Sequence, residues 1–433
     1  MKKTFSIFLA VVVLTVTSCD KEYLNPSSAS QNQVISDVSG LISLANGLQY
    51  KYSISRLSPN YALPTTSGLL TKELINLNTG NTDEQLLMQG GAGVVGSNSV
   101  ITNLWSQSNL VSANADLILN NLSIVTDQGT KGALQAHASI FKALALGNLA
   151  MFWEKAPITT EKNAPFVTRQ EVLNKAIAVL EAASAELAKA TISTYFTSRI
   201  VSGIDYSNTI NALIARYSLM AGNYDKALTA ANAVGLGVTV KSSFSHDDLT
   251  RNALFETSFS NRNVCEPPDN QFGLPVALQT PVADKRIAFF FNATGGTGTV
   301  NRGRASFFTA NTSALPIYRA GEIMLIKAEA NVRKSTPDLA TAVVELNKVL
   351  QKTAATDSWG IGAELPAYSG TVDAASILTE IYRQRSIELF LTGMRLEDSR
   401  RFGRPQAERG RNFLPYPFTE RDNNSNTPAD PAL

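Results

Sequence analysis

Apolar positions along the chain fall mostly at helical spacing. Val38, Leu41, Ile42, Ala45, Leu48 and Tyr52 recur every three or four residues, as do Ile101, Leu104, Trp105, Ala115, Ile118 and Leu122. Each set predicts an amphipathic helix. Between them, residues 56–98 are rich in Gly, Asn, Ser and Thr without a sustained period, which predicts a long irregular segment. From Lys131 onward, Leu134, Ala138, Phe141, Ala145 and Phe152 share one side, and Ile140, Leu144, Gly147 and Met151 another. A helix apolar on that much of its circumference is expected to be buried. Pro157 ends it, and residues 170–190 supply its partner, so 131–190 is read as one helical hairpin.

A second hairpin is expected over 207–234, turning at Gly222-Asn223-Tyr224-Asp225, with Ala215 and Ala227 twelve residues apart. The same interval separates Ala328 and Ala340 in a third, over 319–352. Small residues at two such points let antiparallel helices approach closely, as in tetratricopeptide units of ~34 residues, which need neighbours to bury their remaining faces. With a C-terminal helix over 374–402, the expectation is a mainly α single domain over 38–433, built from about four tetratricopeptide-like pairs. A generic bundle with chance alanines is the alternative. Residues 235–318 and 353–372 also lack a helical period. Together with 56–98 they make three irregular segments projecting from one scaffold, a natural binding face.

The amino terminus adds an address. Lys2 and Lys3 precede the twelve-residue apolar run from Phe5 to Val16, then Thr17, Ser18 and Cys19. That run is short of the ~20 residues a spanning helix needs, and reads as an export signal over 1–18. Small residues before Cys19 suit a peptidase, and its thiolate is the natural acceptor of a diacylglycerol. A lipidated tether over 19–37 follows; an ordinary secreted protein is the alternative. Removing the signal takes away two lysines and no acids, leaving 36 basic and 36 acidic side chains. Such neutrality gives nucleic acid no electrostatic footing. Of the two cysteines, only Cys265 would remain free, so no internal disulfide is expected.

Several stretches resemble the SusD/RagB family. The run from Cys19 to Pro26 resembles its lipoprotein start, Asn81-Thr82-Asp83-Glu84 its Thr-Asp-Glu element, and Trp105 with Ala113-Asn114 its second-helix pattern. The helix from Arg319 to Ala330 is similar to the family's arginine-led helix ending in Ala-Glu-Ala. The most specific likeness is Arg385, Glu388-Leu389, Gly393, Arg395, Asp398, Arg401 and Gly403, followed by Pro415-Tyr416-Pro417 and Glu420. Gln384 and Thr392 stand where the family usually has glutamate, and Phe402 where it has tryptophan. The resemblance implies capture of an oligosaccharide, or a peptide in some members, at the cell exterior of an outer membrane. It also implies delivery to a SusC-like TonB-dependent transporter. Three-residue spacing sets Arg385 near Glu388 and Arg395 near Asp398 on one helix, a charged structural clasp rather than a catalytic group.

A glycan site needs aromatic faces for C–H surfaces, and amides and carboxylates for hydroxyls. Within the irregular segments the candidate ligand contacts are Tyr61, Asn81, Asp83, Gln89, Phe272 and Trp359. A hydrolase would need paired carboxylates or an activated nucleophile, and no spacing marks either. His137 sits on an apolar helix face and reads as a core residue; His246, beside Asp247 and Asp248, is the more polar one. Neither a zinc nor a calcium pattern is present, so no metal, cofactor or catalytic residue is assigned. A scaffold that docks only proteins is the third reading.

Overall fold

Tertiary packing of helical hairpins organises the chain in the computed structural model, which describes residues 34–260, 264–291 and 306–433. The signal over 1–18, Cys19 and the tether as far as residue 33 lie outside the described residues. Helix α1 (Val38–Ser53) starts at Asp37, whose carboxylate accepts from the Gly40 N–H at 2.7 Å. There follow α2 (Pro59–Leu70), strand β1 (Ile75–Asn76), α3 (Thr82–Gln89), α4 (Ser99–Asn120) and α5 (Gln128–Phe152). A small hairpin of β2 (Lys155–Pro157) and β3 (Phe166–Thr168) leads to α6 (Arg169–Leu187), opened by a capping box between Thr168 and Glu171. Next come α7 (Tyr206–Met220), α8 (Tyr224–Asn232), β4 (Ser243–Phe244), β5 (Cys265–Glu266), α9 (Lys285–Phe290) and β6 (Leu315–Pro316). The chain then forms α10 (Ala320–Arg333), α11 (Leu339–Leu350), α12 (Ala374–Glu388) and α13 (Arg395–Arg401).

Helices α5 and α6, α7 and α8, and α10 and α11 pack as hairpins, and each packs on the next: α7 on α6, α10 on α8, α12 on α10 and α11. This is the stacked arrangement of tetratricopeptide-like repeats, in which each unit buries its second face on a neighbour. Close approach is written into α5. A Cβ at Gly147 would lie 2.3 Å from the Tyr217 hydroxyl oxygen, so only glycine admits α7 there. Helices α1, α2 and α4 close the other side of α5 through a core that includes Trp105 against Trp153, ring centroids 4.9 Å apart.

Four expectations need correction. Residues 56–98 are not irregular throughout: α2 is helical and almost wholly buried, and α3 is a second helix. Because α2 is enclosed all round, its sequence shows no amphipathic period to read. The C-terminal helix over 374–402 is two helices, broken where Leu391 and Gly393 take φ of 55° and 84°. A Cβ on Gly393 would sit 2.5 Å from the Leu63 side chain. Ala340 is exposed, and Ala342 is the buried small residue facing Ala328. The turn there, 334–338, is two residues longer than 221–223, which moves the interval from twelve to fourteen. Finally, 235–318 contains short strands: β4 pairs with β6, and β5 with β1. Among the described residues no helix is long and apolar enough to cross a membrane.

His137 is a core residue, as its apolar face predicts. Its Nδ1 lies 3.1 Å from the Tyr206 hydroxyl and its Nε2 3.0 Å from the Ala45 carbonyl oxygen. Burial lowers its pKa from 6.5 to about 4. The unfolded chain therefore binds a proton that the folded chain refuses between those values. Stability from this group is full above pH 6.5 and lost as pH falls toward 4, by about 3 kcal/mol in total. Asp398, raised by burial to about 6, acts in the opposite sense, stabilising below 3.8 and less as pH rises through 6. The test is urea unfolding from pH 7.5 to 4.5 of the native protein and of His137→Gln. The difference between the two curves isolates the histidine, and a flat difference would refute the assignment.

Candidate functional site

The turn after α2 and the turn at 268–275 meet beside β1 and β5, and a pocket of about 370 Å³ opens between them. Leu69, Leu74, Ile75 and Met88 give it an apolar wall; Lys72, Asp269, Tyr382, Arg395 and Glu408 supply polar atoms. That mixture of apolar lining with a few convergent polar groups is what a small-ligand site requires.

Each polar group is held in place. Lys72, at φ 66°, donates from Nζ to the Ala407 carbonyl oxygen at 2.9 Å. Asp269 Oδ1 accepts from the Gln271 and Gly273 backbone N–H groups at 2.8 and 3.0 Å, setting the facing turn. Gly273 is obligatory there: at φ 66°, a Cβ would lie 1.8 Å from the Lys72 carbonyl oxygen. Glu408 takes both Nε and Nη2 of Arg404, whose guanidinium lies 5.2 Å from the centre of the Tyr382 ring. Arg395 reaches the carbonyl oxygens of Phe272 and Ser386, each at 3.0 Å, and faces Glu73 at 3.4 Å. Burial raises the Glu73 pKa, with Arg395 opposing that shift. Arg395 is among the lining residues, and its buried Nε–H has no hydrogen-bond partner among the described residues. A buried donor left unpaired is costly, so it marks a place where a ligand oxygen or an ordered water is needed.

The six candidate ligand residues fare differently. Tyr61 and Phe272, chosen as candidate ligand contacts, are instead fully enclosed core rings. Tyr61 lies on α2 with its hydroxyl 3.4 Å from Glu84, and Phe272 packs against Phe290, Phe291 and Phe390. Asp83 accepts from the Ser99 N–H at 3.0 Å and from its hydroxyl, so it fastens the start of α4. Asn81 precedes α3 as its cap residue, and exposed Gln89 ends that helix. Trp359 is half-buried, 5.7 Å from the Phe307 ring, with Lys241 Nζ 5.1 Å from its ring centre. Lys72, Asp269, Tyr382 and Glu408 escaped the sequence reading. The one signal for them was the Pro-Pro-Asp-Asn-Gln-Phe-Gly run at 267–273, a turn signature.

Residues 301–430 match the model of the SusD family. That segment, about a third of the chain, is similar to the SusD family. A SusD superfamily protein from Bacteroides fragilis superposes with a TM-score of 0.68 at 16% identity, covering 91% of this chain and 99% of its own. A SusD superfamily protein from Bacteroides vulgatus gives the same score and identity, with 92% and 99% covered. A SusD-like carbohydrate-binding protein from Bacteroides fragilis gives 0.66 at 13% identity, with 91% and 99% covered. At such identities these structures speak to the fold alone. No curated protein matches the sequence. SusD family binding proteins are non-catalytic.

The SusD-like segment after residue 380 holds the charged clasp, though not with the expected partners. Arg385 grips Asp398 through Nε and Nη2 at 2.8 and 2.9 Å, across the break between α12 and α13. Glu388 takes Arg286 Nη1 at 3.1 Å and also Lys352, while Arg395 pairs with Glu73. Pairing within one helix fails because the break turns α13 back toward α12. Arg286 further binds Asp284 at 2.7 Å and Gln384 at 2.6 Å, and Lys352 binds Asp357 at 2.7 Å. Gln384, a departure from the family pattern, gives Arg286 a neutral acceptor where two carboxylates already serve it. Gly321 is also required, since a Cβ there would lie 2.1 Å from Glu388 Oε1. The cluster fastens the second and third irregular segments to the end of α12.

Proposed function

We propose that this protein captures a neutral oligosaccharide in the pocket between the 72 and 273 turns and delivers it to a SusC-like TonB-dependent transporter. Acylation of Cys19 would hold it at the exterior face of an outer membrane. The observation that carries the reading is an apolar-walled pocket whose lining includes Arg395, a residue with a buried, unpaired Nε–H. A sugar hydroxyl satisfies that donor while its C–H face covers Leu74 and Met88. The match of residues 301–430 to the SusD family model supports the same role, as does the carbohydrate binding stated for a similar structure. A second reading, capture of a peptide, is favoured by the two signs of charge at the rim, Lys72 with Asp269 and Glu408.

Calorimetry against neutral oligosaccharides and short peptides tests the proposal. Glycan binding is expected, and Lys72→Ala is expected to weaken it about tenfold, as for loss of one hydrogen bond to a charged group. Binding of peptides alone selects the second reading. No binding to either, together with a stable complex with the transporter, would leave a docking scaffold, and turnover of a glycan would make the protein an enzyme.

A further inference from the structure

Away from that pocket, a second cavity of about 580 Å³ lies between the C-terminal half of α1, residues 201–202 and the turn at 245–250. Two residues of its lining each carry a buried polar atom with no hydrogen-bond partner among the described residues: Gln49 Oε1 and His246 Nε2. Gln49 is only 3% exposed, and its Nε2 is used, donating to the Ser245 carbonyl oxygen at 3.4 Å. His246 Nδ1 lies 2.9 Å from the Thr250 carbonyl oxygen, which can only accept, so Nδ1 carries the proton and Nε2 is the bare acceptor. Partial burial lowers the His246 pKa and favours this neutral form.

Gly47 adds an independent sign. It lies mid-helix in α1, lines the cavity, and a Cβ there would meet nothing within 4 Å. Glycine is a poor helix former, and neither packing nor a positive φ demands it at this position. What its missing side chain preserves is the cavity. Tyr50, 52% exposed, stands at the rim with Ile54 and Val201 as further apolar surface. The one charged residue of the lining, Asp247, has Oδ1 committed to the Leu249 and Thr250 N–H groups at 2.8 and 2.7 Å.

From this geometry we infer a second ligand site, between Gln49, His246 and Tyr50, for a neutral sugar of one or two rings. Two neutral acceptors call for a ligand that brings hydroxyl donors, and the tyrosine face calls for one with a C–H surface. An anion would face two acceptors, and the one carboxylate of the lining, Asp247, is tied into its own turn through Oδ1. The inference rests on this cavity's own groups and stands even if the first pocket takes a peptide.

The test uses the chain's two histidines as reporters, His246 in the site and His137 in the core as internal reference. Nitrogen-15 imidazole spectra are recorded while glucose, galactose, mannose or lactose is added to millimolar concentration. The expected result is a saturable shift of the His246 Nε2 signal with an unmoved His137. Gly47→Leu, which fills the cavity from a helix-favouring residue, is expected to abolish the shift while holding or raising the melting temperature. Lys72→Ala, in the first pocket, is expected to leave it unchanged. An unmoved His246 would overturn the site. So would a shift that survives Gly47→Leu, one abolished by Lys72→Ala, or one produced by tripeptides and not by sugars.

Discussion

Arg286→Met is expected to destabilise the protein by about 3–5 kcal/mol, the range for removing one partner from a buried ion pair. The guanidinium is wholly enclosed and serves Asp284, Gln384 and Glu388 at once. Without it, Asp284 keeps a neutral partner in Thr280, at 2.6 Å, and Glu388 keeps Lys352, but the cluster carries an uncompensated negative charge away from water. Methionine approximates the volume, so the loss reports charge rather than a hole. Urea unfolding measures it, with Lys226→Ala as the comparison. Lys226 pairs with Glu181 at the surface, where both side chains are nearly half exposed, and its loss is expected to cost under about 1 kcal/mol. Equal effects from the two substitutions would refute the role given to the cluster.

Gly273→Ala is expected to cost about 2–5 kcal/mol, combining about 1–2 for the left-handed backbone and about 1–3 for overlap with packed atoms. The overlap is with backbone, the Lys72 carbonyl oxygen at 1.8 Å, which cannot rotate away as a side chain could. Both turns line the first pocket, so ligand binding falls along with stability. Gly222→Ala separates the two contributions. Gly222 has φ of 76° with nothing within 4 Å of its Cβ, and its replacement is expected to cost only the backbone share. Measured by chemical unfolding, a Gly273→Ala loss no larger than that of Gly222→Ala would show that the two turns do not press together.

What the sequence disclosed, and what it hid, follows from where each side chain points. The hairpins were legible because an amphipathic helix repeats its apolar face at 3.6 residues, and because Ala215 and Ala227 mark a close crossing. Helix α2 was not, since Pro64 argues against a helix and a segment buried on every side has no polar face to set the period. Cluster partners were hidden for another reason. Arg286 and Glu388 are 102 residues apart, and no local spacing encodes such a pair. Asp83 illustrates a third limit. A carboxylate in a Gly/Asn-rich stretch suggests a ligand contact, yet it is equally suited to take helix N–H groups, and Asp83 holds Ser99 at the start of α4 beside the cap residue Asn98. In the first pocket, the turn residues at 267–273 carried a signal, whereas Tyr382 and Glu408 reach it only through the path of the last helices.

The first pocket draws its lining from residues 69–88, 268–275 and 382–408, nearly the full span of the chain. Its walls are therefore joined by contacts between residues hundreds of positions apart, the kind that form late and slowly because long loops must close first. No contiguous fragment of the chain holds the pocket by itself. A copy ending short of Glu408 would stack several hairpins and still be unable to complete the cavity. A binding signal from this pocket would therefore report complete folding, since only a chain that has brought residues 69–88 and 382–408 together holds the cavity.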